Sequence, residues 1–225
     1  MVNSKFLLKI AAIAVLYYLS AKFGLSLAFS YKQVTLVWPP TGISIAVLLL
    51  LGRNYWPGIL LGAFVANITA NESITQALGI AVGNTLEAYT ATYLLQRFGF
   101  ERPLTKFKDV ILFVVFAAIF APMISATIGV ASLIYGGIGS WGNYFPVWIT
   151  WWLGNAIGAI VIGAFILSWS ILPKIKLTTS FIVEALLQLL VYLHADEAKS
   201  RASVSAVYRR PLISIAKEVC QIVEI

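Results

Sequence analysis

Long apolar runs separated by short polar loops dominate this chain. A helix needs about 20 apolar residues to cross about 30 Å of hydrocarbon, and six runs approach that length before residue 173. They are Phe6–Phe29, Val34–Leu51, Tyr55–Ala70, Thr75–Leu95, Val110–Tyr135 and Phe145–Leu172. The pattern therefore predicts an all-α fold, a polytopic transmembrane helix bundle of about six spans.

The basic residues between these runs are unevenly distributed. If the N-terminus is cytoplasmic, nine lysines and arginines fall on the cytoplasmic side and two, Lys22 and Lys32, on the outer side. The cytoplasmic set is Lys5, Lys9, Arg53, Arg97, Arg102, Lys106, Lys108, Lys174 and Lys176. Because cytoplasmic loops carry an excess of lysine and arginine, the sequence predicts a cytoplasmic N-terminus.

Composition agrees with a protein that lies in lipid. Of the 225 residues, 60% are hydrophobic and 11% charged, and a soluble domain of this size needs more polar surface. The formal charge of +7 comes from residues scattered among the loops, so we expect the lipid bilayer and not a nucleic acid as the partner. With one cysteine, Cys220, and one histidine, His194, we predict no metal site, no cofactor and no enzymatic activity.

The hydrophobic pattern weakens after Pro173. The largely apolar stretch Phe181–His194 would reach about 21 Å as a helix, and the basic tail after it favours an interfacial helix over a seventh span. The spacing of apolar residues from Pro211 onward predicts an amphipathic helix. We therefore expect a membrane-embedded bundle over residues 1–175 and a cytoplasmic tail over residues 176–225 without an output domain.

Small residues four apart mark helix faces that approach one another closely in lipid. Three predicted helices, the third, fourth and sixth, each carry one such pair of glycines. The pairs are Gly58 with Gly62, Gly79 with Gly83, and Gly154 with Gly158. They predict a compact bundle of these three helices.

One carboxylate, Glu87, lies about 18 Å from the outer end of the fourth predicted helix. A charge at that depth costs several kcal/mol unless it is protonated or paired. Asn84 shares its helix face, and Asn155 lies at similar depth on the sixth helix. Because no cation lies at matching depth, we expect Glu87 to be hydrogen-bonded. Two interpretations stay open, a hydrogen bond that joins helices and a ligand or signal site.

Two further features lie near this depth. Trp38, Pro39 and Pro40 fall inside the second predicted helix, where consecutive prolines must kink or break it. A broken helix beside a buried carboxylate is typical of membrane binding sites, although a plain structural kink is an equal alternative. On the sixth helix, Trp151 and Trp152 point in different directions, so one of them could line a cavity. These five residues join Glu87, Asn84 and Asn155 as candidates.

Five motifs in a fixed order carry a resemblance to a known family. They are Val37-Trp38-Pro39-Pro40-Thr41-Gly42, Gly52-Arg53 with Trp56-Pro57-Gly58, Gly83-Asn84-Thr85-Leu86-Glu87, Ile124-Ser125-Ala126-Thr127-Ile128-Gly129-Val130, and Thr150-Trp151-Trp152-Leu153-Gly154. Over roughly residues 1–175 the chain resembles the bacterial membrane-associated sensor domain family, type one.

The resemblance implies an integral input module of about eight helices in the bacterial inner membrane. Such modules stand before diguanylate cyclases, cyclic-di-GMP phosphodiesterases and histidine kinases. The implied function is a sensor domain that regulates a cytoplasmic partner or an output domain in cyclic-di-GMP or two-component signalling, with a second copy of the chain as a further partner. Compared with the family, this chain is expected to be truncated after about residue 175–195, before the family's last helices. The family has an aspartate where this chain has Asn155.

A small-molecule transporter, or the substrate-capture subunit of one, is the alternative function. Six helices with one broken segment would suffice for it.

The predicted topology can be tested with reporter fusions. Fusions after Arg53, Lys108 and Lys176 should behave as cytoplasmic, and fusions at Asn71 and Gly139 should behave as external, because of the distribution of basic residues. The measurement is the activity of a reporter that works on only one side of the membrane. An external result at Lys176 would contradict six spans.

Overall fold

In the computed structural model, the described residues are 4–26, 35–102 and 104–170, and they form an all-α membrane bundle with no strand among them. This agrees with the fold class predicted from the sequence. Six helices lie in these ranges: α1 (Ser4–Ser26), α2 (Pro39–Leu51), α3 (Trp56–Ile68), α4 (Ile74–Arg97), α5 (Phe107–Tyr135) and α6 (Trp141–Trp169). The predicted tail, 176–225, with its interfacial and amphipathic helices, lies outside the described residues.

The helices differ in their ability to cross a membrane. Within the described part, α1 with 23 residues and α5 and α6 with 29 each are long and apolar enough to do so. Helix α4 has 24 residues, but its buried face carries several polar side chains. Helices α2 and α3 have 13 residues each, which at 1.5 Å per residue is about 20 Å and short of a full span.

The start of α2 shortens the helix predicted over Val34–Leu51 and, of the predicted alternatives of a kink or a break at the prolines, agrees with the break. The helix begins at Pro39, so Pro39 and Pro40 occupy its first positions, and residues 35–38 before it are not helical. The first amides of a helix have no acceptor within the helix, and prolines there cost no hydrogen bond. The prolines therefore start a short helix and do not bend a long one. We call residues 35–38 the entry segment.

The entry segment lies directly against α6. The amide of Trp38 donates to the carbonyl oxygen of Gly154 over 2.9 Å. A Cβ atom on Gly154 would lie 2.2 Å from the carbonyl oxygen of Thr35, and one on Gly158 would lie 2.0 Å from that of Trp38. Only glycine permits this approach of two backbones.

The other glycine pairs also lie at close contacts, but with different partners from those predicted. A Cβ atom on Gly62 of α3 would lie 2.6 Å from the carbonyl oxygen of Ala14 on α1, and one on Gly79 of α4 would lie 2.1 Å from Ser132 Oγ on α5. Helices α3 and α4 do pack together, but these glycines lie against α1, α5 and the entry segment. A small-residue face allows close packing without specifying which element packs there.

Helix α4 has a well-defined first turn. The Ser73 side chain accepts from the Gln76 amide over 3.3 Å, and the Gln76 side chain accepts from the Ser73 amide over 2.9 Å. This capping box satisfies two amides that would otherwise lack partners. It sets the start of the helix that carries Asn84 and Glu87.

Both long helices contain π-helical turns, at Phe113–Phe120 in α5 and Ala159–Gly163 in α6. The first ends just before Pro122, where a wider turn avoids the clash between the proline ring and a preceding carbonyl group. The second follows Gly158 and packs against α2. Such turns recur at functional sites in other helices.

The contact between α6 and the entry segment predicts the effect of Gly158→Ala. Because the added Cβ atom would meet backbone and not a movable side chain, the free energy of unfolding should fall by about 1–3 kcal/mol. Thermal unfolding in detergent measures this. Gly142→Ala is the matched control, since its Cβ atom would meet only Ser140 Oγ at 3.6 Å. Equal losses in both variants would contradict the packing argument.

Candidate functional site

A group of polar side chains lies buried at the centre of the bundle, with contributions from five helices and the entry segment. We call this group the buried network. Its members are Tyr17 of α1, Trp38 of the entry segment, Thr41 of α2, Asn84 and Glu87 of α4, Ser125 of α5, and Trp151 and Asn155 of α6.

Glu87 lies in the middle of this network and is 1% exposed. The Asn155 side chain donates from Nδ2 to Glu87 Oε2 over 2.8 Å, and Thr41 Oγ1 lies 3.4 Å from both carboxyl oxygens. Ser125 is a third polar neighbour of this group. Among the described residues no lysine or arginine forms an ion pair with Glu87. Polar side chains from three other helices thus surround the carboxyl group, as expected for a buried acid.

Ser125 connects three helices through one hydroxyl group. It donates to Asn84 Oδ1 over 2.6 Å, and it accepts from Trp151 Nε1 over 3.1 Å and from Asn155 Nδ2 over 3.2 Å. A hydroxyl has one hydrogen to donate and two lone pairs to accept with. These contacts use its whole hydrogen-bonding capacity, so α5 is tied to both α4 and α6.

Asn84 extends the network to the N-terminal helix. Its Nδ2 atom donates to the Tyr17 hydroxyl oxygen over 2.8 Å. The Trp38 side chain lies beside that hydroxyl group. The network therefore runs from α1 through α4 and α5 to α6, with Trp38 of the entry segment next to it.

A narrow cavity reaches the network from the predicted outer side. It has a volume of about 20 Å³, enough for about one water molecule. Three members of the network, Trp38, Trp151 and Asn155, line it, together with Leu25 near the end of α1 and Ala70 just after α3. Asn155 therefore contacts both the cavity and the Glu87 carboxyl group.

The predicted candidates are divided by the structure. It brings together Glu87, Asn84, Asn155, Trp38 and Trp151. By contrast, Trp152 donates from Nε1 to the Ile119 carbonyl oxygen over 2.9 Å, away from the network. Pro39 and Pro40 are buried between Trp38 and Thr41 and set the start of α2 without forming a polar contact themselves. No group of histidine, cysteine, aspartate or glutamate in the described part could hold a metal ion.

Three members of the network were not among the candidates from the sequence. Tyr17 lies in an apolar run where a tyrosine also suits the membrane interface. Thr41 and Ser125 carry hydroxyl groups, which often hydrogen-bond to a backbone carbonyl group of their own helix and then need no other partner. The sequence feature that could have identified Thr41 and Ser125 is their position in the motifs that begin at Val37 and Ile124.

The family model of MASE1 matches residues 10–191. MASE1 is a family of membrane-associated sensor domains found in cyclic-di-GMP enzymes and histidine kinases. The matched range contains the whole buried network and extends beyond residue 175, where the motif resemblance ended. No curated protein and no solved structure matches the chain.

The environment of Glu87 predicts different effects for two substitutions. Glu87→Gln keeps an oxygen that accepts from Asn155, so the free energy of unfolding should change by less than about 1 kcal/mol. Glu87→Ala removes the acceptor and leaves a buried amide donor unpaired, which should cost about 1–3 kcal/mol. Both are measured by unfolding in detergent.

The control for Glu87→Ala is Glu101→Ala, because Glu101 is a highly exposed acid whose ion pair with Lys106 lies on the surface. Exposed ion pairs contribute little, so stability should hardly change. If Glu87→Ala and Glu101→Ala lowered the free energy of unfolding equally, the hydrogen bonds around Glu87 would contribute nothing to stability.

Proposed function

Because the chain belongs to the MASE1 family of membrane sensor domains, we propose that it is a signal-input domain that regulates a cytoplasmic output partner. The family occurs in cyclic-di-GMP enzymes and histidine kinases, so the proposed output acts in cyclic-di-GMP or two-component signalling. The proposed location is the bacterial inner membrane, crossed several times.

One observation carries the proposal for the site. Trp151 and Asn155 of α6 line the cavity, and the same two side chains donate hydrogen bonds into the network. A molecule that enters the cavity therefore meets the groups that connect α6 to α4 and α5.

The donors of these two residues are already fully used. Asn155 gives one N–H to Glu87 and the other to Ser125, and the single indole N–H of Trp151 goes to Ser125. A ligand that accepts a hydrogen bond in the cavity must replace one of these internal acceptors. The bundle then favours another packing of α6, because a buried acceptor left without a donor costs about 1–3 kcal/mol.

Helix α6 can carry this change along its length. It begins at Trp141 on the predicted outer side and ends at Trp169 on the predicted cytoplasmic side. Its π-helical turns, Ala159–Gly163, lie one turn beyond Asn155. A ligand that binds one packing better than the other shifts the population between them, and α6 transmits that shift towards the cytoplasm.

The proposed role is non-catalytic. Ser125 donates its proton to the Asn84 amide oxygen, which is not a base that could activate a nucleophile. Glu87 faces amide and hydroxyl groups deep in the bundle. We therefore assign these residues to signal reception.

The test compares two tryptophans of α6 in the whole chain fused to a diguanylate cyclase domain. Each of Trp151→Phe and Trp152→Phe removes one indole donor, but only Trp151 donates into the network. Trp151→Phe should change the basal cellular cyclic-di-GMP level by about tenfold, which corresponds to about 1.4 kcal/mol. Trp152→Phe should leave that level unchanged.

If the two variants gave equal cyclic-di-GMP levels, the buried network would have no part in signalling. Robust uptake of a labelled solute into proteoliposomes by the unfused chain would support the transporter alternative.

A further inference from the structure

A groove runs along the outside of the bundle between α3 and α4. It has a volume of about 470 Å³. Its lining comes from two ridges of side chains, Trp56 and Leu60 on α3, and Val82, Thr85, Leu86 and Tyr89 on α4. Residues three and four apart lie on one face of a helix, so each helix presents a single apolar ridge.

The groove faces the lipid side of the bundle. Trp56, Leu86 and Tyr89 remain 37–42% exposed in the chain, whereas Glu87 on the same helix is 1% exposed and points into the network. In a membrane, acyl chains cover such a surface. An apolar groove between the side chains of two helices suits one acyl chain lying along it.

A cation lies at one end of this groove. The Arg53 guanidinium carbon is 5.4 Å from the centroid of the Tyr89 ring and 5.3 Å from that of Tyr93. These cation–π contacts hold the guanidinium group in place. Because Tyr89 also lines the groove, the cation and the apolar channel share one wall.

The hydrogen-bond donors of Arg53 are available. Among the described residues, no carboxylate forms an ion pair with Arg53 and no acceptor takes a hydrogen bond from its side chain. Tyrosine rings are neutral, and a guanidinium group carries five N–H donors in a planar fork that matches phosphate oxygens.

We propose that this groove is a binding site for an anionic phospholipid. The phosphate group accepts hydrogen bonds from Arg53, and one acyl chain lies along Trp56, Leu60 and Leu86. The site lies on the opposite side of α4 from the buried network, so it is independent of the proposed sensing role. The positive-inside prediction places Arg53 at the cytoplasmic headgroup level.

Native mass spectrometry of the purified full chain in detergent tests the proposal. Dioleoyl phosphatidylglycerol, whose headgroup is anionic, should bind at lower concentration than dioleoyl phosphatidylcholine, whose ammonium group neutralises the phosphate. Arg53→Gln should weaken binding of phosphatidylglycerol by about tenfold, or about 1.4 kcal/mol, and weaken binding of phosphatidylcholine by a smaller factor.

Lys9→Gln is the matched control. Its Nζ atom lies 5.5 Å from the Tyr55 ring centroid, so it is also a cation on a tyrosine at the same predicted side, but Tyr55 does not line the groove. Lys9→Gln should change the affinity for phosphatidylglycerol by less than about twofold, because a separate surface charge is screened. Leu86→Trp, which fills the groove without changing charge, should weaken binding of both lipids.

Equal affinity of the wild-type chain for the two lipids would overturn the proposal, whether or not the variants fold. So would a loss with Lys9→Gln as large as that with Arg53→Gln, which would indicate diffuse attraction to the membrane surface. Displacement of phosphatidylglycerol by millimolar inorganic phosphate alone would reassign Arg53 to a free-anion site and remove the lipid.

Discussion

The constraint on which this bundle depends is the burial of the Glu87 carboxyl group inside helices that lie in lipid. Hydrocarbon offers no hydrogen bonds, so the protein itself must supply every partner of that group. Asn155 and Thr41 supply them from two different helices, and Ser125 of a third helix lies beside the group. The packing of α2, α5 and α6 against α4 must therefore bring these polar groups to one side chain.

The irregular backbone before α2 follows from the same requirement. Thr41 can reach Glu87 only because α2 starts deep in the bundle, and its prolines make that start possible without losing hydrogen bonds. The non-helical entry segment before it needs a protein surface to lie on. Gly154 and Gly158 of α6 provide that surface, and the Trp38 amide finds its acceptor there.

Helix α4 separates the two proposed sites on its two sides. Asn84 and Glu87 face the network, which the cavity reaches from the outer side, whereas Leu86 and Tyr89 face the lipid groove beside Arg53. On helix α6, Trp151 and Asn155 contact both the cavity and the network. A stimulus at the cavity and a lipid at the groove would thus act on opposite faces of one central helix.

The sequence by itself determined the class of the protein, the positions of its helices and its family, because hydropathy, basic loops and motif order are local properties of a chain. It also identified Glu87, Asn84 and Asn155, since buried polar residues stand out in apolar runs. Only the tertiary structure decided that Tyr17 and Ser125 complete the network, that Trp151 and not Trp152 belongs to it, and that α1, α5 and the entry segment pack on the glycine pairs. Those outcomes depend on how each helix is rotated and how deep it lies, and packing between helices distant in sequence sets both.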